Sequence, residues 1–371
     1  MDPTNGRIGI IGAGSTGVYL ASLLVRQGYH VDLFEKAARP RTDGCGILLI
    51  TSGMNALAQG NPRICQQLIQ AGSPAQRFEF RNLKGTVVNT ETVTLDKDEL
   101  PSMLIHRKAI LETLLADLTD LPLRNIGFHF SHQFESLSQT SDGVMVNFTN
   151  GQTWHGDVLV GCDGIFSEVR EFVVPGAKIR YLGDLVWRGI VTDEQFCTNG
   201  DFILYIRGRG IYANFFDLGG GYTHWGFFIE HVQDETEVGQ PRPQNTIIPA
   251  HELAKLPLEG RTVIASTPAD QIVTNFSYDL DPLPILHQGR VVLLGDAAHA
   301  KSPSRARGMT AGFEDALALT NYLKDCDDVE SALVGFEAER LPIVHEYQRS
   351  SREISRNTGR KGQPVTAEAV A

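Results

Sequence analysis

The sequence lacks the cysteine pattern of a disulfide framework or of a zinc site. Its 371 residues include five cysteines, and no two of them form a CxxC pair. The cysteines are Cys45, Cys65, Cys162, Cys197 and Cys326. An odd and scattered set is typical of reduced thiols in a cytoplasmic protein. We therefore expect a cytoplasmic protein with no metal site.

Basic residues are in the minority. The chain contains 33 lysines and arginines against 44 aspartates and glutamates, which gives a formal net charge of -11. Affinity for nucleic acids depends mainly on phosphate neutralisation by lysine and arginine. The charge balance therefore argues against a nucleic acid as partner.

Long hydrophobic runs are also absent, with one exception. Residues 8–25, which lie between Arg7 and Arg26, contain no charged residue. This run contains Gly12, Gly14 and Gly17, which neither a lipid-facing helix nor the apolar region of a signal peptide favours. No small-residue cleavage site follows it. We expect no transmembrane segment and no signal peptide.

The first part of the chain reads as an α/β unit. A strand at 7–11, a helix at 18–27 and a strand at 29–35 make a strand–helix–strand unit, which is typical of a parallel sheet. Further helices are predicted at 106–118 and at 308–323. Further strands are predicted at 128–137, 143–147, 157–161 and 290–294.

The segment 181–278 differs from the rest, because its strand patterns are separated by glycine turns. Those patterns lie at 185–191, 202–207, 211–218 and 222–230. They predict an antiparallel sheet inserted into the α/β domain. We place the nucleotide-binding domain at 1–75, 101–180 and 285–349, and the sheet domain at 76–100 and 181–284. The polar tail 350–371 is expected to fray.

The first motif that carries chemistry is GAGSTG at 12–17, between the first predicted strand and helix. Gly12 permits a tight turn, Gly14 lets the backbone approach a pyrophosphate, and Gly17 allows close helix–strand packing. The amides at the helix start, at Ser15 and Thr16, would hold the phosphate charge.

Glu35 completes this motif, because it ends the second strand 21 residues after Gly14. An acidic residue at this place accepts hydrogen bonds from an adenosine ribose. Lys36 follows it directly and is assigned to the same site. The order of strand, helix and acid predicts a dinucleotide site, but it does not distinguish FAD from NAD.

Two further motifs follow, CDGIFSEVR at 162–170 and LGDAAH at 294–299, the latter extended by Ser302-Pro303 and by GMTAGFEDA at 308–316. With the three motifs in this order, the sequence resembles the flavin-dependent aromatic hydroxylases, which are single-component flavoprotein monooxygenases like para-hydroxybenzoate hydroxylase. The resemblance extends from Arg7 to about Arg349. Weaker matches are His106-Arg107 before a helix and the WRG segment at 187–189.

The resemblance implies an α/β fold: a Rossmann-like FAD-binding domain, an inserted antiparallel β-sheet substrate domain and a C-terminal helical segment. It implies that Glu35 contacts the adenosine ribose of FAD, that Asp296 contacts the ribityl chain, and that Asp163 lies near the pyrophosphate. The full set of implied cofactor-binding residues is Gly12, Gly14, Ser15, Thr16, Gly17, Glu35, Lys36, Arg41, Arg107, Asp163, Asp296, Arg307, Gly308, Met309 and Thr310.

The resemblance also implies a reaction. NADH or NADPH would reduce FAD, O2 would add at the flavin C4a, and the hydroperoxide would transfer one oxygen atom to an aromatic or other electron-rich small molecule. No second GxGxxG with strand–helix context is present, so NAD(P)H is expected to bind only transiently. Alternatives on the same fold are an oxidase or reductase, less readily a halogenase, and a non-enzymatic flavin-binding redox sensor. Substrate, choice of nicotinamide and oligomeric state stay open.

Catalytic residues are not identified by these motifs. Polar and aromatic candidates on the inserted strands are Trp187, Arg188, Tyr205, Arg207, Tyr212, Asn214, His224 and Trp225, of which Arg188, Tyr205, Tyr212, Asn214 and His224 are preferred. Alternation places about half of them towards the flavin without saying which half.

The loop before the last helix departs from the family. Ala306-Arg307-Gly308 stands where much of the family has a glutamine between two glycines, and Lys301, Arg305 and Arg307 make the loop unusually basic. We expect Arg307 to place a positive charge close to the flavin. His299 is expected only to cap the local turn.

Overall fold

The computed structural model describes residues 6–40, 44–121, 123–192, 196–208, 210–243 and 246–358. The helices are α1 (Ser15–Arg26), α2 (Thr51–Gly60), α3 (Pro62–Ala71), α4 (Arg107–Thr119), α5 (Val169–Val173), α6 (Ala250–Leu253), α7 (Leu258–Ala265), α8 (Asp296–His299), α9 (Arg307–Asp325) and α10 (Val329–Ser355). The strands are β1 (Arg7–Ile11), β2 (His30–Glu35), β3 (Gly46–Leu49), β4 (Ser73–Pro74), β5 (Arg77–Asn82), β6 (Val87–Thr92), β7 (Met103–His106), β8 (Ile126–Phe130), β9 (Phe134–Gln139), β10 (Val144–Phe148), β11 (Thr153–Gly156), β12 (Val158–Gly161), β13 (Ile179–Thr192), β14 (Asp201–Arg207), β15 (Gly210–Asp217), β16 (Tyr222–Glu230), β17 (Val273–Leu280), β18 (His287–Gln288) and β19 (Val291–Leu293).

A six-stranded sheet in the order β18-β19-β12-β1-β2-β8 forms the nucleotide-binding side. All its neighbouring strands are parallel except the pair β18 and β19. Strands β12 and β19 are buried along their whole length, as expected for a parallel sheet covered on both faces. The uncharged run 8–25 is divided between β1 and α1, and no helix of the described residues is long and apolar enough to cross a membrane.

A seven-stranded sheet in the order β17-β13-β16-β15-β14-β5-β6 forms the second unit. Its pairs are antiparallel except β14 with β5, which run parallel. Aromatic and aliphatic side chains of one face pack against Leu256, Val263 and Ile264 in and beside α7. The other face turns towards β3, since the Gly46 amide donates to His224 Nδ1 over 3.1 Å.

Two expectations about local structure were wrong. The pattern at 128–137 is two strands: β8 joins the parallel sheet, β9 joins a three-stranded sheet with β10 and β11, and Ser131 between them has φ +58°. The tail does not fray at residue 350, because α10 continues to Ser355 with Ser351 and Ser355 buried. Residues 359–371 of the expected tail lie outside the described residues.

Arg352 holds the end of α10 on β17. Its Nε and Nη2 donate to the Asp279 carboxylate over 2.6 and 2.8 Å, and Asp279 is 1% exposed. The polar sequence of this segment gave no sign of the contact, because the partner is 73 residues away. A charged side chain paired with a buried acid belongs to the packed structure and not to a tail.

We predict that Arg352→Leu destabilises the protein by about 3 kcal/mol, because it leaves the Asp279 carboxylate buried without a cation. Urea unfolding at pH 7 measures the loss. The difference from wild type should shrink at lower pH, since burial raises the pKa of Asp279 and protonation removes the unpaired charge. Arg349→Leu, which removes a more exposed arginine of the same helix, is the control. Equal losses in both variants would contradict the role of Arg352.

Candidate functional site

The loop after β1 is closely packed except at one glycine. Gly12 has φ +108°, and a Cβ there would lie 2.4 Å from the Cys162 carbonyl oxygen. A Cβ on Gly17 would lie 2.1 Å from the Gly12 carbonyl oxygen. At Gly14 no described atom beyond its two chain neighbours lies within 4 Å of the Cβ position. The loop therefore requires glycine for packing at two positions and leaves open space at the third.

The first turn of α1 faces that space without a side-chain cap. Gly14 precedes the helix and supplies no capping atom, so the first amides keep their donors. The hydroxyl of Ser15 is buried and has no hydrogen-bond partner among the described residues. Unsatisfied donors at a helix N-terminus favour an anion.

Glu35 is hydrogen-bonded to the same loop. Its Oε2 accepts from the Ala13 amide over 3.2 Å and its Oε1 from the Ala37 amide over 2.9 Å. The carboxylate borders a small cavity of about 50 Å³. This cavity is lined by Ile11, Glu35, Lys36, His132, Phe134, Asp163, Phe166 and Glu168. The structure thus brings Glu35, Lys36 and Asp163 together.

Asp163 organises the loop that follows β12. Its Oδ2 accepts from the amides of Glu168, over 2.8 Å, and Val169, over 3.3 Å. Its Oδ1 is buried and has no partner among the described residues. Arg170 then joins this motif to the next, because its Nη1 donates to the Ala297 carbonyl over 3.0 Å.

Asp296 begins α8 at the end of β19 and is exposed. Gly295 before it has φ +59°, and a Cβ there would lie 3.0 Å from Thr16 Oγ1. A Cβ on Gly312 of α9 would lie only 2.1 Å from the same oxygen. Thr16 of the first motif is therefore enclosed by two glycines of the third. The Asp296 carboxylate itself faces Gly308, with Oδ1 3.9 Å from the Cβ position of that glycine.

The start of α9 also lacks a side-chain cap, and Ala306 before it has φ +52°. Gly308 and Met309 are half-buried, and Thr310 is buried with its hydroxyl unpartnered among the described residues. Arg307 is directed to the neighbouring helices. Its Nη1 donates to Ser52 Oγ over 3.2 Å and its guanidinium lies 4.8 Å from the centre of the Tyr347 ring.

Arg107 and Arg41 are the other two arginines that were predicted to bind the cofactor. Arg107 begins α4, is exposed and packs against Gly44, whose Cβ would lie 3.3 Å from its side chain. Arg41 lies outside the described residues.

The sheet divides the substrate candidates into two groups. Arg188 and Asn214 both lie opposite Gly226, on β13 and β15, and a Cβ on Gly226 would be 2.6 Å from Asn214 Oδ1. His224 is on the same face, because it stands two residues before Gly226 on β16. Asn214 Oδ1 is buried and unpartnered among the described residues. Gly226 places no side chain between Arg188 and Asn214, and the Asn214 oxygen and the Phe228 ring fill the space beside it.

His224 is a neutral donor in this arrangement. Its Nδ1 accepts the Gly46 amide proton over 3.1 Å, so the ring proton resides on Nε2. Burial, with Arg188 nearby, holds the pKa of His224 well below its ordinary value. The ring also packs on Phe216, with centroids 4.3 Å apart. The arrangement therefore suits hydrogen-bond donation better than proton abstraction.

The other candidates lie away from this face. Trp187, Tyr205 and Trp225 belong to the cluster that packs on α7. Tyr212 is the extra residue of a bulge, and its hydroxyl donates to Glu252 Oε2 over 2.6 Å. Arg207 lies 5.9 Å from the centre of the Tyr212 ring. The structure does not bring these residues together with Arg188, Asn214 and His224.

His299 does more than cap a turn, contrary to expectation. Its Nε2 lies 2.5 Å from Asp315 Oδ2 and its Nδ1 lies 2.8 Å from Lys301 Nζ, with all three side chains buried. Asp315 also accepts from Arg340 Nε over 2.9 Å. The sequence offered only the basic character of Lys301 as a signal, because the partners come from three helices or their flanks.

Comparisons with known proteins show the family of the chain. The family model described as FAD binding domain matches residues 6–206 and 276–351. The chain belongs to this family. It is 30% identical over 357 residues to 3-amino-4-hydroxybenzoate 2-monooxygenase of Streptomyces cremeus, across 94% of this chain and 86% of the relative. It is 28% identical over 347 residues to aurachin C monooxygenase/isomerase of Stigmatella aurantiaca, across 93% and 88%.

Solved structures have the same fold. Klebsiella pneumoniae HpxO complexed with FAD and uric acid matches with a TM-score of 0.82 at 22% identity, across 94% of this chain and 88% of that one. The 2,6-dihydroxypyridine-3-hydroxylase of Arthrobacter nicotinovorans matches with a TM-score of 0.83 at 20% identity, across 100% and 97%. The predicted fold class and family are confirmed. The chain is an FAD-dependent monooxygenase of the aromatic-hydroxylase type, with NAD(P)H as the reductant.

Two glycines of the fingerprint should respond differently to alanine. Gly17→Ala places a Cβ 2.1 Å from a backbone oxygen and should destabilise the apoprotein by roughly 2 kcal/mol or more. Gly14→Ala meets open space, so it should leave apoprotein stability nearly unchanged and weaken FAD binding at least about tenfold. Thermal unfolding and flavin fluorescence titration measure the two effects. The reverse pattern would show that Gly14 serves packing and not the cofactor.

Proposed function

We propose that FAD lies across the ends of β1, β12 and β19, where the three glycine-containing motifs meet. Four features support this placement: the open space at Gly14 and the unpartnered polar atoms of Ser15, Asp163 and Thr310. An extended ligand with phosphates and many hydroxyls suits donors and acceptors distributed in this way. The observation that carries the proposal is the enclosure of Thr16 by Gly295 and Gly312, which joins the first motif to the third.

The adenosine end is assigned to Glu35 and its neighbours. Both Glu35 oxygens already accept backbone amides, but each carboxylate oxygen can accept a second hydrogen bond, here from a ribose hydroxyl. The amides of Ser15 and Thr16 would bind the pyrophosphate, and Lys36 and Arg107 would add positive charge. We propose that Asp163 acts by holding loop amides in place, because its Oδ2 is occupied by two of them.

The flavin end is assigned to Asp296 and the first turn of α9. The exposed Asp296 carboxylate would accept from ribityl hydroxyls, and Gly308, Met309 and Thr310 would offer the helix amides to the ring system. Arg307 takes a different role from the one that the sequence suggested. Its contacts with Ser52 and Tyr347 support a positioning role, in which it anchors the start of α9 between α2 and α10.

The substrate is assigned to the face of the sheet that carries Arg188, Asn214 and His224. Arg188 and His224 Nε2 supply donors, and Asn214 Oδ1 supplies a buried acceptor. We therefore propose an electron-rich aromatic or heteroaromatic substrate that carries an oxygen acceptor beside a donor group. The names of the relatives, which specify an aminohydroxybenzoate and aurachin C, support a substrate of this class.

The bound FAD, once reduced by NAD(P)H, supplies the chemistry that activates O2. The chain supplies the rest. The sheet face orients the substrate and excludes water. His224 donates a hydrogen bond from its Nε2–H, and its lowered pKa keeps the ring neutral near neutral pH.

We propose that 76–100 and 181–284 form the substrate domain, with β5 and β6 extending the sheet from the first of these segments. The five free cysteines support a cytoplasmic location.

Substrate-stimulated NAD(P)H oxidation tests the proposed function. The purified protein with FAD is screened against hydroxylated and amino-substituted ring compounds. We expect a subset of these to accelerate NAD(P)H and O2 consumption together. A protein that binds FAD but responds to none of them would contradict the proposed substrate class.

Asp296→Ala tests the flavin end. The carboxylate is exposed and has no hydrogen-bond partner among the described residues, so its loss should leave the melting temperature of the apoprotein unchanged. Removing charge-assisted hydrogen bonds to ribityl hydroxyls should weaken FAD binding by a factor of about ten or more. Asp325→Ala, an exposed acid at the end of α9, is the control. A collapse of apoprotein stability would make Asp296 structural.

Arg188→Met tests the substrate face. Loss of a charged donor should raise KM for the best substrate by roughly 10- to 100-fold while FAD affinity stays the same. Arg207→Met, on the hairpin end of the same sheet, should leave KM unchanged. Steady-state kinetics and flavin titration measure both variants. Equal KM values in wild type and Arg188→Met would remove Arg188 from the substrate site.

A further inference from the structure

A buried amine lies behind the flavin end of the site. Lys301 is 8% exposed and lies two residues after the end of α8. Its Nζ lies 2.8 Å from His299 Nδ1, and His299 Nε2 lies 2.5 Å from Asp315 Oδ2. Burial lowers the pKa of His299, so the imidazole is neutral, donates from Nε2 to Asp315 and accepts at Nδ1 from Lys301.

Asp315 does not contact Lys301 directly. Its oxygens also accept from Arg340 Nε over 2.9 Å and from the Gly295 amide over 3.0 Å. Arg340 in turn binds Glu314 Oε2 over 2.9 Å. The charged and titratable groups that face Lys301 are Asp296 and His299 on α8, Glu314 and Asp315 on α9, and Arg340 on α10. Of the carboxylates, Asp296 has no bonded cation among the described residues.

We propose that Lys301 is a positioning residue whose ammonium group, held by His299, serves as the counter-charge of Asp296 when FAD covers that carboxylate, so that FAD binding is coupled to proton uptake. This inference rests on the proposed contact between Asp296 and FAD. It concerns a residue that the contacts of the cofactor do not themselves require.

The reason is the change in solvent around Asp296. In the free protein the carboxylate is exposed, so water screens its attraction for the ammonium group. A cofactor that covers Asp296 removes this water and strengthens the attraction, whereas Lys301 is already buried and loses little solvent. The protonated form of Lys301 is therefore favoured in the complex.

The coupling has a defined pH range. Burial lowers the pKa of Lys301 to about 8, against the attraction of Asp296 and Asp315. Below that pH the ammonium form already predominates and FAD binds with full affinity. Above it the free protein holds a neutral amine, which must take a proton from solvent on binding. Affinity should therefore fall as the pH rises from 7 to 9.5.

Calorimetric titration of wild-type protein with FAD at pH 8.5 tests the coupling without any variant. Two buffers of different ionisation enthalpy should give different apparent binding enthalpies, which correspond to uptake of a fraction of one proton. FAD affinity should fall about tenfold between pH 7 and 9.5, which corresponds to a rise of one unit in the pKa of Lys301 on binding. Identical enthalpies in the two buffers would overturn the proposal.

Variants separate the roles of the two residues. Lys301→Met should weaken FAD binding at pH 7 to the level that wild type shows at pH 9.5 and should remove the pH dependence. Lys324→Met, on the exposed end of α9, should behave as wild type. If Asp296→Ala leaves FAD affinity intact, the proposed contact of Asp296 fails. If Asp296→Ala weakens binding while Lys301→Met keeps the wild-type pH profile, only the counter-charge role fails.

Discussion

The whole site depends on a close approach of backbone segments that only glycine permits. The first turn of α1 touches the Gly-Asp loop and α9 through Thr16, at distances where a Cβ on Gly312 would be 2.1 Å away. Within the turn, Gly17 approaches the Gly12 carbonyl equally closely, and Gly12 approaches Cys162. Because β12 and β19 lie beside β1 in one parallel sheet, their ends deliver Asp163 and Asp296 to the edge where α1 begins. The proposed cofactor site at this edge follows from the strand order together with these contacts.

The inserted sheet supplies the substrate side of the proposed site. The hydrogen bond from the Gly46 amide to His224 joins β3 to the sheet and sets the tautomer of the ring. The same sheet buries its other face on α7, which explains why Trp187, Tyr205 and Trp225 serve packing. A single sheet thus carries a core on one face and the polar side chains of Arg188, Asn214 and His224 on the other. The acidic and basic groups behind α8 and α9 form a second, buried layer that stabilises the loop bearing Asp296.

The features that could be predicted from the sequence are local ones. The glycine fingerprint, β1, α1, β2 and the strands before Asp163 and Asp296 each show in a short run of residues, and the structure contains all of them. The sequence could not predict which face of the sheet carries the core and which carries Arg188, Asn214 and His224. The alternation of side chains is the same for both faces, and the bulge at Tyr212 shifts that alternation locally. The contacts of Arg352, Arg307 and Arg340 could not be predicted because each joins residues of different helices or strands. A polar residue in such a contact is indistinguishable from a solvated one in the sequence.

A monooxygenase transfers one oxygen atom from O2 to its substrate, whereas an oxidase passes electrons to O2 alone. Turnover under isotopically labelled O2, followed by mass spectrometry of the product, tests this most directly. We expect one labelled oxygen atom in each product molecule and one NAD(P)H consumed for it. An unlabelled product, with hydrogen peroxide formed in proportion to the NAD(P)H consumed, would contradict oxygen transfer and identify an oxidase.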